Sequence, residues 1–397
     1  MVDYRAIDEL VIKIDERNTN EDILDLIGLS IDKCFIKSVA NVNGTDLSKY
    51  KIIRKDDFAV SLMQVSRDEK IPVARLEEYD VAIMSPAYPI FRVKDSSVIL
   101  PEYLEMWFKR PEFDREAAFI AVGGVRGSMP WEEFGKMRLP VPEIEKQKEI
   151  VQAYKTVSDR IVLKQKINDN LLSCAQSYFK KTYVDFEGIP SSELQQTPDG
   201  MIPNGWSFDY VGNYCKDNIA NLSKSDKFTS IEYLDTGSIF EGFIESTQQL
   251  CLSTDEIPSR AKRKVTDGDI VYSTVRPNLH HYGLIKNPSE NFIASTGFAV
   301  LHNNGGTVSN ELIYMWLTKD SVLDYLQAIA ENSVSTYPSL NVSDLLNVKI
   351  IIPTADILQE SNRILTTIFE SIYANNRQIS LLNNMKQTLL PMLFSSH

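Results

Sequence analysis

The chain has 397 residues, enough for two or three domains with proper cores, and its 43% hydrophobic and 24% charged content is that of a folded protein. No run approaches the ~18 apolar residues needed to cross a bilayer, the start carries charges and no signal-like apolar stretch, and Cys34, Cys174, Cys215 and Cys251 lie too far apart for a disulfide or zinc framework. A reducing cytoplasm fits. The net charge of −12 counts against a nucleic-acid binder that uses its whole surface, and such a chain must concentrate its basic residues locally, as in a basic groove.

In chain order, Lys55-Asp56-Asp57-Phe58-Ala59-Val60-Ser61 leads into a β-like run, Phe58–Val65. A second strand is expected at Val81–Met84, and Pro101-Glu102 opens a helix that carries Met106-Trp107 as core packing. Arg138-Leu-Pro-Val-Pro142 follows, and then an apolar stripe from Ile150 to Phe179 at three- and four-residue spacing. After a Pro-, Gly- and Ser-rich linker the same succession returns. Asp267-Gly268-Asp269 leads into Ile270–Val275, and a strand is expected at Phe292–Ala294. Asn310 is placed to cap a helix with Met315-Trp316, Lys349–Pro353 follows, and a second stripe runs from Ile364 to Leu393. Four ordered matches at a separation of about 210 residues identify an internal duplication.

A helix over Glu143–Lys181 would be roughly 58 Å long at ~1.5 Å per residue, longer than an ordinary globular helix. The two stripes are therefore expected to pair antiparallel as a coiled-coil-like spacer, which gives the chain a pseudo-two-fold repeat. The fold class is α+β, with two globular α/β recognition domains separated by two long antiparallel helices. The expected boundaries are 1–141 for the first recognition domain and 142–184 for the first helical region. The linker is 185–205, the second recognition domain 206–353 and the second helical region 354–397.

Catalytic signatures are missing. No phosphate loop or His-Glu-x-x-His pattern occurs, Asn287-Pro288-Ser289-Glu290 reads as a surface turn, and adjacent His280 and His281 cannot share one strand face. The reading is a non-enzyme with no cofactor or metal of its own. Binding signals are clearer. Ser273, Thr274, Arg276, Asn278 and His280 form a polar, cationic loop after a strand. Arg pairs bidentately with guanine and Asn with adenine, while Ser and Thr hold phosphates. Arg260, Lys262, Arg263 and Lys264 suit a phosphate backbone. Arg54, Lys55, Gln64 and Arg67 occupy the corresponding stretch of the first copy, and Arg126 lies between glycines and valine in Gly123-Gly124-Val125-Arg126-Gly127, where a base edge can come close. Any one of these alone would be a solvated charge; their recurrence in both copies carries the reading.

The chain resembles the specificity subunits of type I restriction-modification systems. The resemblance rests on Arg138–Ile150 (RLPVPEIEKQKEI) with its second instance Lys349–Gln359, on Pro203-Asn204-Gly205-Trp206, on Gly268 through Pro277, and on Tyr337-Pro338-Ser339-Leu340. Two departures stand out: the first copy lacks the Pro-x-Gly-Trp opening, and Gln359-Glu360 stands where the family more often reads Glu-Gln. The resemblance implies a reader of double-stranded DNA with a bipartite target. It also implies two methyltransferase subunits docked on the helices and supplying S-adenosylmethionine chemistry, with restriction endonuclease subunits joining them. The competing readings are a recognition subunit with a fused nuclease-methyltransferase partner and a coiled-coil scaffold without a DNA role.

Overall fold

The computed structural model describes residues 3–38, 45–122, 127–223, 225–333 and 338–395. They form two compact units, Met1–Leu163 with Gln378–His397, and Lys164–Arg377. The architecture is α+β.

The first unit is closed by an antiparallel pair, Asp3–Ala6 with Arg138–Val141, in which Asp3 faces Val141. Its main sheet runs Val11–Ile14, Ile90–Val93, Phe58–Val60, Val73–Arg75. A second layer pairs Lys51–Arg54 with Val81–Met84. Helices Pro101–Phe108, Pro111–Ile120 and Trp131–Lys136 follow. Their buried Phe108 and Phe134 pack edge-on or tilted against Phe58 and Phe91 of the sheet, and Phe113 packs on Phe108, to make the core.

The second unit repeats this plan. Ser207–Tyr210 pairs with Lys349–Ile352. The main sheet runs Cys215–Asp217, Phe298–Asn303, Ile270–Ser273, Tyr282–Leu284, and the second Gln248–Cys251, Ser230–Leu234, Phe292–Ser295, Ala261–Lys264. Helices Asn310–Leu317, Asp320–Glu331 and Val342–Leu346 follow in the same order.

The duplication extends to buried polar groups. Asp57 and Asp269 are almost fully buried at the start of equivalent strands. Asp57 accepts the Arg54 backbone N–H at 2.9 Å, and Asp269 accepts that of Thr266 at 2.7 Å, so each carboxylate closes the turn that precedes it. Each also meets a basic partner on the neighbouring strand, Arg92 at 2.5 Å and His302 at 2.8 Å. A carboxylate can stay buried only when its lone pairs are met in this way.

Three local expectations are corrected. The strand expected over Phe58–Val65 ends at Val60, because Gln64 turns left-handed and Val65 begins a helical turn. The run Ile270–Val275 likewise ends at Ser273, beyond which Val275 makes only an isolated bridge to Ser339. Asn310 is not the cap of its helix: Ser309 is, accepting the Leu312 N–H at 3.2 Å.

The long helices are continuous, Ile144–Tyr183 and Ala355–Ser395. In each unit segments of both pair antiparallel, since rising numbers on one meet falling numbers on the other. In the first unit Ile161 packs with Ile379 and Leu382, and the Lys386 ammonium lies over the Tyr154 ring. In the second, Lys164 donates to Asn375, Asn168 bonds both Asn375 and Asn376, and the Tyr178 and Ser361 hydroxyls meet at 2.9 Å. Each unit receives aromatic packing from near the end of a long helix. Phe394 packs edge-on to Trp107 at 5.2 Å, and Phe179 packs edge-on to Trp316 at 4.9 Å. Trp107 and Trp316 match in the repeat, yet each is met by the helix that follows the other copy's front portion. Such aromatic pairs contribute about 0.5–1.5 kcal/mol beyond the area they bury.

Candidate nucleic-acid interface

The same strained turn is built once in each unit. In the second, the chain leaves strand Ile270–Ser273 and enters a single helical turn, Pro277–Leu279, bounded by Arg276 (φ +48°) and His280 (φ +55°). In the first, strand Phe58–Val60 leads to the turn Val65–Asp68, bounded by Gln64 (φ +62°) and Glu69 (φ +51°). Left-handed backbone costs a non-glycine residue ~1–2 kcal/mol, and it persists where surrounding bonds over-determine it. Those bonds are present. The Arg276 N–H donates to Pro338 O at 3.0 Å, and the Leu340 N–H to Thr274 O at 2.8 Å; in the first unit the Met129 N–H donates to Leu62 O at 2.9 Å. Gly127, at φ +71°, runs so close to the first turn that a Cβ there would lie 2.4 Å from Ser66 Oγ. Gln64 and Arg276 are thus counterparts, and both are exposed.

Around Arg276 the sequence-predicted residues divide by role. Ser273 is buried, its Oγ donating to Val275 O at 3.0 Å, and Thr274 Oγ1 donates to Gly297 O at 3.0 Å, so this pair shapes the turn. Arg276 and Asn278 are exposed, and the Asn278 backbone N–H is held by Gln327 Oε1 at 3.2 Å. His280 is half-buried, its Nδ1 2.7 Å from Glu241 Oε1. In the first unit Arg67 bonds both Gln64 and Asp68.

The remaining candidates stand elsewhere. Arg54 is paired with Glu16 at 2.6 Å, and Lys55 is exposed. Lys262, Arg263 and Lys264 belong to strand Ala261–Lys264 of the second sheet rather than to the Arg276 turn. Lys264 Nζ lies 2.5 Å from Asp226, whose carboxyl this ammonium holds below its ordinary range, and Arg263 donates to Asn221 at 3.1 Å. Arg260 and Lys262 are exposed. Arg126 lies outside the described residues. The structure therefore gathers Arg276, Asn278 and His280 on one turn and Gln64 and Arg67 on its twin, and separates the basic strand from both.

The sequence reading missed the hairpin Ile239–Phe240/Phe243–Ile244, which leans on His280. Its signal was present: two apolar pairs flank Glu241-Gly242, and both of these residues have the positive φ that a tight two-residue hairpin turn demands. Among the described residues, no three His, Cys, Asp or Glu side chains are placed to hold a metal ion, and no helix is long and apolar enough to cross a membrane.

Residues 214–384 match the family described as type I restriction modification DNA specificity domain. The chain is 24% identical over 177 residues to the type I restriction enzyme HindI specificity subunit of Haemophilus influenzae, a stretch that covers 45% of this chain and 38% of that subunit. It is 24% identical over 306 residues to the MjaIX specificity subunit of Methanocaldococcus jannaschii, covering 74% and 68% of the two chains. The fold is similar to the crystal structure of the type I restriction-modification S subunit from M. genitalium, with a TM-score of 0.62 and 13% identity over 100% of this chain and 97% of that one. The chain thus carries, over residues 214–384, a type I restriction modification DNA specificity domain, and it is similar in sequence and fold to specificity subunits of that kind.

Proposed function

We propose that this chain is the DNA-reading subunit of a type I restriction-modification assembly, without catalytic machinery of its own, and that it recognises a two-part target. The observation that carries the reading is the twin turn. One strained frame is built in both units and displays Gln64 in the first and Arg276 in the second. Glutamine matches the adenine edge in the major groove and arginine the guanine edge, so one frame with two heads suits two unlike half-sites.

On this reading residues 1–141 and 206–353 read DNA, and 185–205 link the two halves. The helical regions 142–184 and 354–397 set the number of base pairs between half-sites and bind two methyltransferase subunits, which supply S-adenosylmethionine chemistry and are joined by restriction endonuclease subunits. Exposed apolar side chains favour a protein-binding role for the helices. In the first unit these are Val162, Leu163, Leu381, Met385 and Met392.

The deciding experiment is genome-wide methylation mapping after expression of the partner methyltransferase with and without this chain. Methylation of one split sequence only when the chain is present is the expected result. Identical maps would overturn DNA reading and leave an assembly scaffold.

A further inference from the structure

The hairpin Ile239–Phe240/Phe243–Ile244 has no counterpart among the described residues of the first unit. There the parallel contact Leu26–Ile83 corresponds to the strand pair Ser230–Leu234 with Phe292–Ser295, and only residues 30–34 separate strands Ile27–Leu29 and Phe35–Lys37. In the second unit residues 235–247 fill the same interval, and the hairpin lies within them. It is held rigidly. The Glu241 N–H donates to His280 O at 2.9 Å and the Gly242 N–H to Tyr282 O at 2.8 Å. Gly283 admits the hairpin because a Cβ there would lie 2.5 Å from Ile239 Cδ1.

Rings lead from the core to this hairpin in a near-parallel column. Tyr272 and Tyr282, both buried, stack at 5.5 Å and 21°; Tyr282 and His280 at 5.8 Å and 25°; His280 and Phe240 at 6.2 Å and 14°. Glu241 Oε1, 2.7 Å from His280 Nδ1, fixes the imidazole in the column. The column ends at Phe240, which is 50% exposed. His280, one ring inward, is the residue that closes the Arg276 turn. An aromatic ring that is half exposed, held by a rigid turn and backed by stacked rings is suited to one more flat partner. Beside a base-reading turn that partner is a nucleobase.

We propose that Phe240 is a base-stacking wedge, which takes up a base at an opened step of the half-site read by the second unit. The inference rests on the DNA-reading function above and deepens it. Apolar wedges of this kind pry apart deformable base steps, so Phe240 would add sequence preference at a position that no hydrogen bond reads. The first unit, lacking the hairpin, would leave its half-site stacked.

The test uses the full chain in complex with its methyltransferase partner and a duplex that the wild-type complex selects from a randomised pool, with 2-aminopurine placed at each adenine in turn. The expected result is a fluorescence change confined to one step of one half-site. Phe240→Ala should abolish it and weaken binding about tenfold or more, as loss of one stacked base does. Phe240→Trp, which keeps a flat ring on the hairpin, should keep the signal. A mismatch at the step, which lowers the cost of opening it, should strengthen binding by the wild type and leave that of Phe240→Ala unchanged. Equal affinity and equal fluorescence for wild type and Phe240→Ala would overturn the wedge alone. A wild-type complex that selects no sequence would overturn DNA reading, and the wedge with it.

Discussion

Asn362 grips the backbone around Ser309 from the second long helix: its Oδ1 accepts the Ser309 N–H at 3.0 Å, and its Nδ2 donates to Thr307 O at 2.7 Å. Gln147 makes the matching grip on Leu100 and Val98 from the first long helix, both at 2.9 Å, with a third bond to Pro142 O at 2.8 Å. Ser309 and Leu100 are the caps of equivalent helices. The grip that Gln147 makes from the first long helix is thus made from the second by a shorter amide, Asn362, while Gln359 is exposed.

Replacing the fully buried Gln147 with Ala should cost about 2–3 kcal/mol, because three part-buried backbone groups lose their partner. Asn362→Ala should cost about 1–2 kcal/mol, as its site is half open, and Gln359→Ala less than about 0.5 kcal/mol. Hydrogen exchange at the Leu100 and Ser309 amides separates the two sites. Loss of Ser309 protection in Gln359→Ala would contradict the assignment.

Arg276→Ala and Gln64→Ala should each relax recognition of one half-site and spare the other, with discrimination falling by about tenfold or more at a single position. Competition between duplexes altered in one half at a time reads this directly. Equal loss on every duplex would mark the residue as a phosphate contact.

Lys262 and Lys264 are neighbours with different expected phenotypes. Lys262 is exposed, so Lys262→Ala should lower the salt dependence of DNA binding by about one phosphate contact. Lys264 is bound to Asp226, so Lys264→Ala should release that carboxyl toward its ordinary titration range. The sign follows from linkage. The paired Asp226 titrates lower in the folded state than in the unfolded, so its contribution is full above the unfolded value and fades as pH falls through the folded one. Acid unfolding of Lys264→Ala should therefore begin at higher pH than in wild type, whereas Lys262→Ala should unfold as wild type does.

Cys251 should be a far more reactive thiol than Cys215. Hydrogen bonds from the Ser253 and Thr254 side chains lower it to about 7, whereas burial raises Cys215 to about 12. Alkylation of Cys251 by iodoacetamide should rise through half-maximum near pH 7 and leave Cys215 intact in the folded chain. Ser253→Ala should move that midpoint upward, and an unmoved midpoint would exclude the hydroxyl as the cause.

Adding one turn, four residues, to the first long helix should change the spacing tolerated between half-sites. Methylation mapping of the variant checks this. An unchanged spacing would remove the helices from the measuring role.

What the sequence disclosed and what it concealed follow from range. Apolar periodicity is a local signal, so the long helices and a few central strands could be read from residues such as Ile161, Leu365 and Ile270. The duplication was legible because Asp57 and Asp269 recur with the turns they close. Left-handed backbone at Gln64 and Arg276 was not legible, since neither residue type favours it and the bonds that hold Arg276 and the chain beside Gln64 come from residues some 65 positions away. Ser273 and Thr274 look like phosphate ligands in sequence, yet their hydroxyls are taken by backbone that folding brings near. The exchange of an amide role to Asn362 leaves no local trace either.

Phe394 against Trp107 has a consequence for the order of events during synthesis. Domains made early on the ribosome ordinarily fold early, with the N-terminal one first. Here the aromatic cluster of the first unit lacks a member until Phe394 has been translated, whereas Phe179, the counterpart for Trp316, is made before the unit it completes. The second unit can therefore close its core while the first still waits, and the half of the chain that emerges first is the half that finishes last.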